Sequence, residues 1–529
     1  MAPHVTMPAM HEIELKLQVP PARRDAVAAE VAGRSPPAPL RLQAAYFDTP
    51  DRALAKAGLA LRLRREGQRW VQTLKGAGAD GITRLEHNVP RPARTAAPPD
   101  VDAALHAGTP VGDRLFDVLR AAPDATLACL YRTDIRRLTR RVRTRLGTLE
   151  LAFDQGAILA GDRQLPVLEL EIELVGGAPA AVLATARRWI ARHGLWLDTR
   201  SKAERGDLLA RGEPMAPERK AEGVRLAKAM DLDQGRCAVL ASCLDQVVAN
   251  ASQVASGTFR DEHVHQLRVG LRRLRTALRL FDGLTPPPAP AGAAAAAPAS
   301  PEAALAQAAA ALFRQLGAAR DRAAVAGPLH ADLQRALEAI GLDLQAPTLP
   351  AEADAVDPAS AVRAPAAQAM LLDLLAAVQP GGAQAPVPAA PAVPADPEDD
   401  VTLRDALARR LNRWHKQVAA DAPRFAKLDD AARHALRKRV KRLRYAVEFV
   451  AALFDDRAVR RYLKPLRALQ EDLGALNDVA VGLAGFRMAG GGDPRALFAL
   501  GWLAARRELL LDECAPALRA FAKVKRFWK

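Results

Sequence analysis

Residues 11–16 read His11-Glu12-Ile13-Glu14-Leu15-Lys16. In an extended chain Glu12, Glu14 and Lys16 share one side, and Ile13, Leu15 and Leu17 share the other. A half-buried strand ordinarily sets apolar residues against weakly polar ones. Here the polar side is fully charged, and the pattern recurs further along. Arg62 and Arg64 alternate with Leu61 and Leu63, Lys75 follows Gln72 and Leu74, and Arg84 and Glu86 form another same-side pair. Glu169, Glu171 and Glu173 alternate with Leu168, Leu170, Ile172 and Leu174. A solvated sheet face accounts for any one of these strands. Across five it is strained, because like charges are poor cross-strand neighbours. Metal cations would satisfy grouped carboxylates, and phosphate oxygens would satisfy grouped Arg and Lys. A closed barrel with charges inside and apolar residues outside, under helices, meets both demands.

Around these strands, residues 10 to about 210 read as α+β. Strands are expected at His11–Val19, Leu59–Arg65, Trp70–Lys75, Arg84–Val89, Leu146–Asp154 and Val167–Val175, and helices at Arg23–Ala32 and Ala180–His193. Beyond about residue 212 the strand patterns vanish, and Ala, Leu and Arg dominate at helical spacing. Glu213–Glu222, with Pro214 and Pro217, reads as the linker. Two Pro/Ala tracts, Thr285–Pro301 and Ala346–Asp400 (richest at Pro380–Pro397), are expected to be flexible surface excursions, with a helix allowed at Ser360–Val378.

The charged strands resemble a known family. His11-Glu12-Ile13-Glu14-Leu15-Lys16 fits the E-x-E-x-K signature of the CYTH, or triphosphate tunnel metalloenzyme, superfamily. The likeness continues through Tyr46-Phe47-Asp48-Thr49, Leu61-Arg62-Leu63-Arg64, Thr73-Leu74-Lys75, Arg84-Leu85-Glu86, Tyr131-Arg132, Phe153-Asp154-Gln155-Gly156, Glu169-Leu170-Glu171-Ile172-Glu173 and Ser201-Lys202. In order and spacing it is most similar to bacterial inorganic triphosphatases that carry an appended helical domain. The resemblance implies a closed tunnel of eight antiparallel strands over residues 10–212. In it Glu12, Glu14, Glu169, Glu171 and Glu173 would hold a divalent metal, while Lys16, Arg62, Arg64, Lys75, Arg84, Arg132 and Lys202 would grip phosphate. Glu86 and Asp154 would be further acidic tunnel residues. An all-carboxylate set suits Mg²⁺ or Mn²⁺. Which residue accepts a proton stays open between Lys16 and a glutamate free of metal.

The helical half repeats a pattern. His265, Arg268, Arg272, Arg273 and Arg275 recur in the same order and spacing as His434, Arg437, Lys441, Arg442 and Arg444. At helical pitch His265, Arg268, Arg272, Arg275 and Arg279 form one stripe, opposite Leu267, Leu271, Leu274 and Leu278. The second copy has Leu436, Val440, Leu443 and Val447 on its apolar side. A further echo sets Leu316-Gly317-Ala318-Ala319-Arg320-Asp321 against Leu473-Gly474-Ala475-Leu476-Asn477-Asp478. This half, roughly 225–525, resembles the CHAD domain, a helical domain with conserved histidines known for binding inorganic polyphosphate. The resemblance implies that the ten repeated His, Arg and Lys residues bind the chain. Lys441 and Asn477 depart from it, each standing where an arginine is expected.

Composition agrees with polyanionic partners. The formal charge is +16 and the pI about 10.1. Nucleic acid is disfavoured, since the basic stripes lack interleaved aromatics apart from Tyr445. The cysteines, Cys129, Cys237, Cys243 and Cys514, form no close pair, which argues against zinc and disulfides. Met1–Met10 shows no secretory pattern and no long apolar run appears, so the cytoplasm is expected; the CHAD resemblance implies association with polyphosphate granules. The expected activity is hydrolysis of inorganic triphosphate to pyrophosphate and phosphate. The alternatives are a tunnel enzyme for an organic triphosphate (thiamine triphosphate, or cyclisation of ATP) and a non-catalytic polyphosphate adaptor.

Overall fold

The computed structural model describes residues 10–34, 38–67, 69–77, 83–91, 98–121, 126–284, 300–349, 356–379, 402–488 and 493–529. The side chains of residues 10–12, 77, 83–84 and 318–325 also lie outside the described set, which takes in Glu12, Arg84, Arg320 and Asp321. Most of the Thr285–Pro301 tract and all of Pro380–Pro397 lie outside it as well. The chain divides into two compact units. One comprises Met1–Lys220, Leu244–Leu267 and Val362–Ala392; the other comprises Ala221–Cys243, Arg268–Ala361 and Val393–Lys529.

The first unit is built on an antiparallel sheet. Its strands are β1 (Met10–Gln18), β2 (Leu40–Asp48), β3 (Leu59–Glu66), β4 (Arg69–Ala77), β5 (Thr83–Arg91), β6 (Ala128–Arg143), β7 (Gly147–Ala160), β8 (Arg163–Gly177) and β9 (Trp196–Leu197). Their order is β5-β4-β3-β2-β6-β7-β8-β1-β9. β1 also pairs with β5, from Met10↔Glu86 to Ile13↔Thr83, before pairing with β8 from Glu14↔Glu173 to Gln18↔Glu169. The sheet thus has nine strands where eight were expected. The ninth is a two-residue strand against the end of β1, too short to show a period in the sequence.

Helices α1 (Arg24–Ala32), α2 (Ala53–Lys56), α3 (Pro110–Arg120) and α4 (Ala180–His193) pack against the strands, and α5 (Lys202–Arg211) lies on the charged side, against β6, β7 and β8. Leu54, Leu59, Leu61, Leu74, Val111 and Leu115 form one core, under α2 and α3. This explains the leucine alternation of β3 and β4: the odd-numbered leucines of β3 go under helices, and the arginines between them go to the other face. Asp48 fixes the start of α2 by accepting from the backbone N–H groups of Thr49, Leu54 and Ala55 at 2.7–2.9 Å. α5 opens on a capping box, Ser201 with Glu204. Gly206 lets it lie against β6, because a Cβ there would enter the Tyr131 ring. Tyr131 in turn stacks on Tyr46, centroids 4.7 Å apart.

Within the Ala346–Asp400 tract the stretch Ser360–Val378, where the sequence allows a helix, is helical. Pro365–Val378 (α11) is a helix with Met370, Leu371, Leu372, Leu374 and Leu375 buried, preceded by α10 (Pro358–Arg363). Pro365 at the first helical turn starts it, and the apolar run buries rather than floats. Gln368 of α11 donates to Val362 O and accepts from the Leu197 N–H.

The remaining helices are α6 (Leu232–Ala255), α7 (Asp261–Phe281), α8 (Pro301–Gln315), α9 (Ala318–Ala339), α12 (Leu403–Ala419), α13 (Asp430–Val450), α14 (Asp456–Met488) and α15 (Pro494–Ala522). In the second unit α12–α15 enclose an aromatic core in which Tyr462, Phe449, Phe486 and Phe521 are fully buried. Among the described residues no helix is long and apolar enough to cross a membrane.

Candidate active site and a basic helical cluster

The charged side chains of the sheet meet in a cavity of about 880 Å³ in the first unit. Register arranges its acidic wall in rows across β1, β8 and β7. Glu14 stands opposite Glu173, and Glu173 opposite Glu150. Two residues on, Lys16 stands opposite Glu171. Two further on, Gln18 stands opposite Glu169, and Glu169 opposite Asp154.

The inner rows are charge-paired. Arg137 reaches Asp154 at 2.7 Å and Glu171 at 2.5 Å. Lys202, the first residue of α5, reaches Asp154 at 2.7 Å, Glu171 at 3.0 Å, and also Glu169. Arg205, one turn on, pairs with Glu169, and Gln18 donates to it at 3.2 Å. Burial works against the charges of Arg137, Glu169, Glu171, Lys202 and Arg205, and the opposite charges outweigh it. Glu171 is held well below the usual carboxylate range by Lys202, Arg137 and Lys16, and Lys202 is raised by Asp154, Glu169 and Glu171. Asp154, Glu169 and Glu171 offer oxygens within 4.8 Å of one another and could hold a metal ion.

The outer row is different. Burial, then Glu14 and Glu150, push the Glu173 carboxyl up. Lys16 pairs with Glu14, and Arg141, an exposed residue and the register partner of Glu150, lies 3.5 Å from it. Three carboxylates in register, with a lysine at one end, make a set that a hard dication relieves.

Facing the acids is a cationic wall. Arg62, Arg64, Lys75 and Arg137 all line the cavity. Lys75 pairs with Glu86 at 2.5 Å, Arg62 lies 4.0 Å from Glu86, and Arg64 pairs with Glu66. Burial and then Arg62 lower Arg64, despite Glu66, and Arg137 adds to the crowding. Tyr46, buried beside this group, is lowered too: burial raises it, but Arg62 and then Lys202 and Arg64 prevail.

The structure therefore brings together Glu14, Lys16, Arg62, Arg64, Lys75, Glu86, Asp154, Glu171, Glu173 and Lys202 around the cavity. Glu169 is 0% exposed and is not among the lining residues; it anchors Lys202 and Arg205 from beneath. Arg132 is not brought in. On β6 the odd positions Tyr131, Thr133, Ile135 and Arg137 face the cavity, so Arg132 lies on the exposed outer face. Glu12 and Arg84 are register partners on β1 and β5, with side chains outside the described residues. Sequence reasoning missed Arg137, Glu150 and Arg205. The first hides in an arginine-rich run where strand parity is the guide, and the last stands at helical i+3 from Lys202.

In the helical part the basic residues sort into two kinds. His265 is half-buried on α7, three residues before Arg268. Arg268 is 4% exposed and its guanidinium lies 4.6 Å over the Phe313 ring, with Arg272 at 5.5 Å from the same ring. Arg275 is lowered by burial, then by Arg279 and Arg314. Lys441 is drawn down to about 7 by burial, then by Arg437 and by Arg272 of α7. The stripes of α7 and α13 thus converge within the second unit. His434 shares a 2.7 Å hydrogen bond with Asn477, and Arg444 donates to Gln470 and Glu448. Arg273 and Arg442 are off the stripe, one residue and about 100° round from Arg272 and Lys441. Arg273, 5% exposed, stacks on Phe449 and donates to Ser242; Arg442 stacks on Trp414 and donates to Gln417. Arg268 and Arg273 are thus covered by aromatic rings.

A sheet domain with an interior of opposed acids and bases, followed by a helical domain with converging cations, matches two families. Residues 10–206 match the CYTH domain and residues 238–485 the CHAD domain, so the chain is a CYTH domain followed by a CHAD domain. It is 31% identical to the inorganic triphosphatase of Haemophilus influenzae over 169 residues, 31% of this chain and 44% of that relative. The match thus spans less than half of the curated relative. Among solved structures, the CHAD domain from the plant Ricinus communis is 27% identical, with 59% of this chain and 99% of that one covered at a TM-score of 0.42. A putative adenylyl cyclase from Hippeastrum, reported to have dominant triphosphatase activity, is 19% identical, with coverage of 39% and 98% at a TM-score of 0.28.

Proposed function

We propose that the CYTH domain hydrolyses inorganic triphosphate to pyrophosphate and phosphate with Mg²⁺ or Mn²⁺, and that the CHAD domain binds inorganic polyphosphate. The observation that carries the first part is the row Glu14–Glu173–Glu150 facing Arg62, Arg64, Lys75 and Arg137 across one cavity. The family match and the triphosphatase relative support it. We read the sheet as a closed eight-stranded tunnel with β9 appended, a reading supported by β1 pairing with both β5 and β8. The tunnel domain is taken as residues 10–212 and the CHAD domain as 225–525, joined by 213–224.

Glu14 and Glu173, with Glu150 and Glu171 beside them and Glu12 as the first carboxylate of the signature, would hold the dication; Glu169 is committed to Arg205 and Lys202. The bound ion would neutralise charge on the phosphate oxygens and lower the pKa of an attacking water. Phosphoryl transfer otherwise needs placement and charge neutralisation. Lys16, Arg62, Arg64, Lys75, Arg84, Arg137 and Lys202 supply these, Lys75 oriented by Glu86 and Arg137 by Asp154. Arg132 is left out of the set.

For the CHAD domain, the convergence of Arg272 with Arg437, Lys441 and Arg444 supports a chain-binding surface, with Arg268, Arg275 and His434 flanking it; His265 belongs to the set by the sequence repeat. We read α7 and α13, each 21 residues long, as the two copies of an internal duplication. A cytoplasmic protein associated with polyphosphate granules fits this pairing of activities.

The test is phosphate release from triphosphate, ATP, thiamine triphosphate and long-chain polyphosphate with Mg²⁺ or Mn²⁺. Triphosphate turnover well above the others is expected. Preference for an organic triphosphate would move the substrate, and no turnover of any would leave a binding protein.

A further inference from the structure

The repeated helices differ at one informative place: Arg272 of α7 corresponds to Lys441 of α13. Arg437, Lys441 and Arg444 stand at i, i+4 and i+7, so they share a face of α13. Arg272 approaches from α7, and Asp478 of α14 is the carboxylate beside the group. Arg444 is committed to Gln470 at 2.6 Å and Glu448 at 2.9 Å. The Arg272 Nε is buried and has no hydrogen-bond partner among the described residues, its guanidinium held against Phe313. His434 lies two turns before Lys441 on the same face and shares a hydrogen bond with Asn477 of α14.

Like charges gathered in a half-buried setting repel, and guanidinium groups have no means of relief, since arginine stays protonated throughout the physiological range. A lysine can release its proton. We infer that Lys441 is the proton valve of the polyphosphate site: the ammonium sheds its proton to the buffer when the site is empty and regains it when a phosphate chain binds. This rests on the polyphosphate-binding reading of the CHAD domain. Burial, then Arg437 and Arg272, bring the group down to about 7, with Asp478 pulling upward and Arg444 down. Phosphate oxygens reverse the sign of the surroundings and raise it again. The linkage has a definite sign. Below pH 7 the valve is already protonated and binding is insensitive to pH. Above pH 7 each further unit weakens binding by up to about tenfold, until the pH reaches the pKa of the bound form.

Calorimetry of the full-length protein with long-chain sodium polyphosphate at pH 8, in two buffers of different ionisation enthalpy, reads the proton directly. Wild type is expected to take up nearly one proton per site. Lys441→Arg, which keeps the charge and removes the valve, should bind with nearly pH-independent affinity and lose that uptake. Binding by wild type with no proton uptake, or uptake that persists in full in Lys441→Arg, overturns the inference while leaving polyphosphate binding intact. Absence of binding in wild type would instead remove the binding reading, and this inference with it.

Discussion

The sheet interior and the helical cluster both concentrate buried charge, and they treat it oppositely. In the sheet, Arg137, Lys202 and Arg205 each meet a carboxylate, and Asp154, Glu169 and Glu171 each meet a cation. In the helices Arg268, Arg273 and Arg442 are sheltered by aromatic rings, and Lys441 is surrounded mainly by other cations. The difference is one of readiness. The inner rows of the sheet are charge-paired before any ligand arrives, whereas the row of Glu14, Glu173 and Glu150 sets three carboxylates side by side. The helical cluster is in excess as a whole, which suits a ligand that is itself a string of charges.

The sharpest way to break the comparison is Lys202→Met. Removing a buried cation shared by three carboxylates should cost about 3–5 kcal/mol of stability and abolish turnover, read as a fall in the urea midpoint. The sign of its pH dependence follows from Glu171. A carboxylate held below its unfolded value near 4.5 contributes stability above that pH and loses it as the pH falls toward the folded value. Wild type should therefore lose stability from about pH 4.5 downward, and Lys202→Met should show a smaller acid loss because it starts without the pair.

Glu14→Gln addresses the outer row instead. Triphosphate turnover should fall by more than about 100-fold, with the urea midpoint little changed and polyphosphate binding by the helices retained. A variant that kept full activity would show that the acidic row does not hold the cation. Arg275→Ala sharpens the helical side. Taking one cation out of a crowd should weaken polyphosphate binding by about fivefold in a titration, without lowering the thermal midpoint. Smallest of all should be Arg132→Ala, on the outer face of β6: a change within about twofold in turnover, which a steady-state assay would show.

Much of this was legible in the sequence because charge alternating at period 2 over several segments fits little besides strands with a charged interior face. β1 and β3 carried their extent to within a residue, whereas β8 begins at Arg163, ahead of the Val167 start expected for it. β2 and β6 were harder. Leu40–Asp48 alternates only weakly, and β6 is so rich in arginine that which guanidinium points inward depends on parity: the resemblance at Tyr131-Arg132 points to Arg132, whereas parity brings Arg137 to the cavity. The helical stripes were legible as spacing, whereas their covering was not. Nothing local to Arg273 announces Phe449, well over a hundred residues away, and only the packed structure supplies that ring.

Gly206 carries a consequence of its own. Helix α5 lies on β6 with no room for even one methyl group above Tyr131, and the same helix presents Lys202 and Arg205 to the acids. A residue that touches neither metal nor phosphate thereby sets the height of two cations over the cavity floor. Sequence drift at that position is closed off for reasons of clearance, and a survey that equated intolerance to change with chemistry would misfile it.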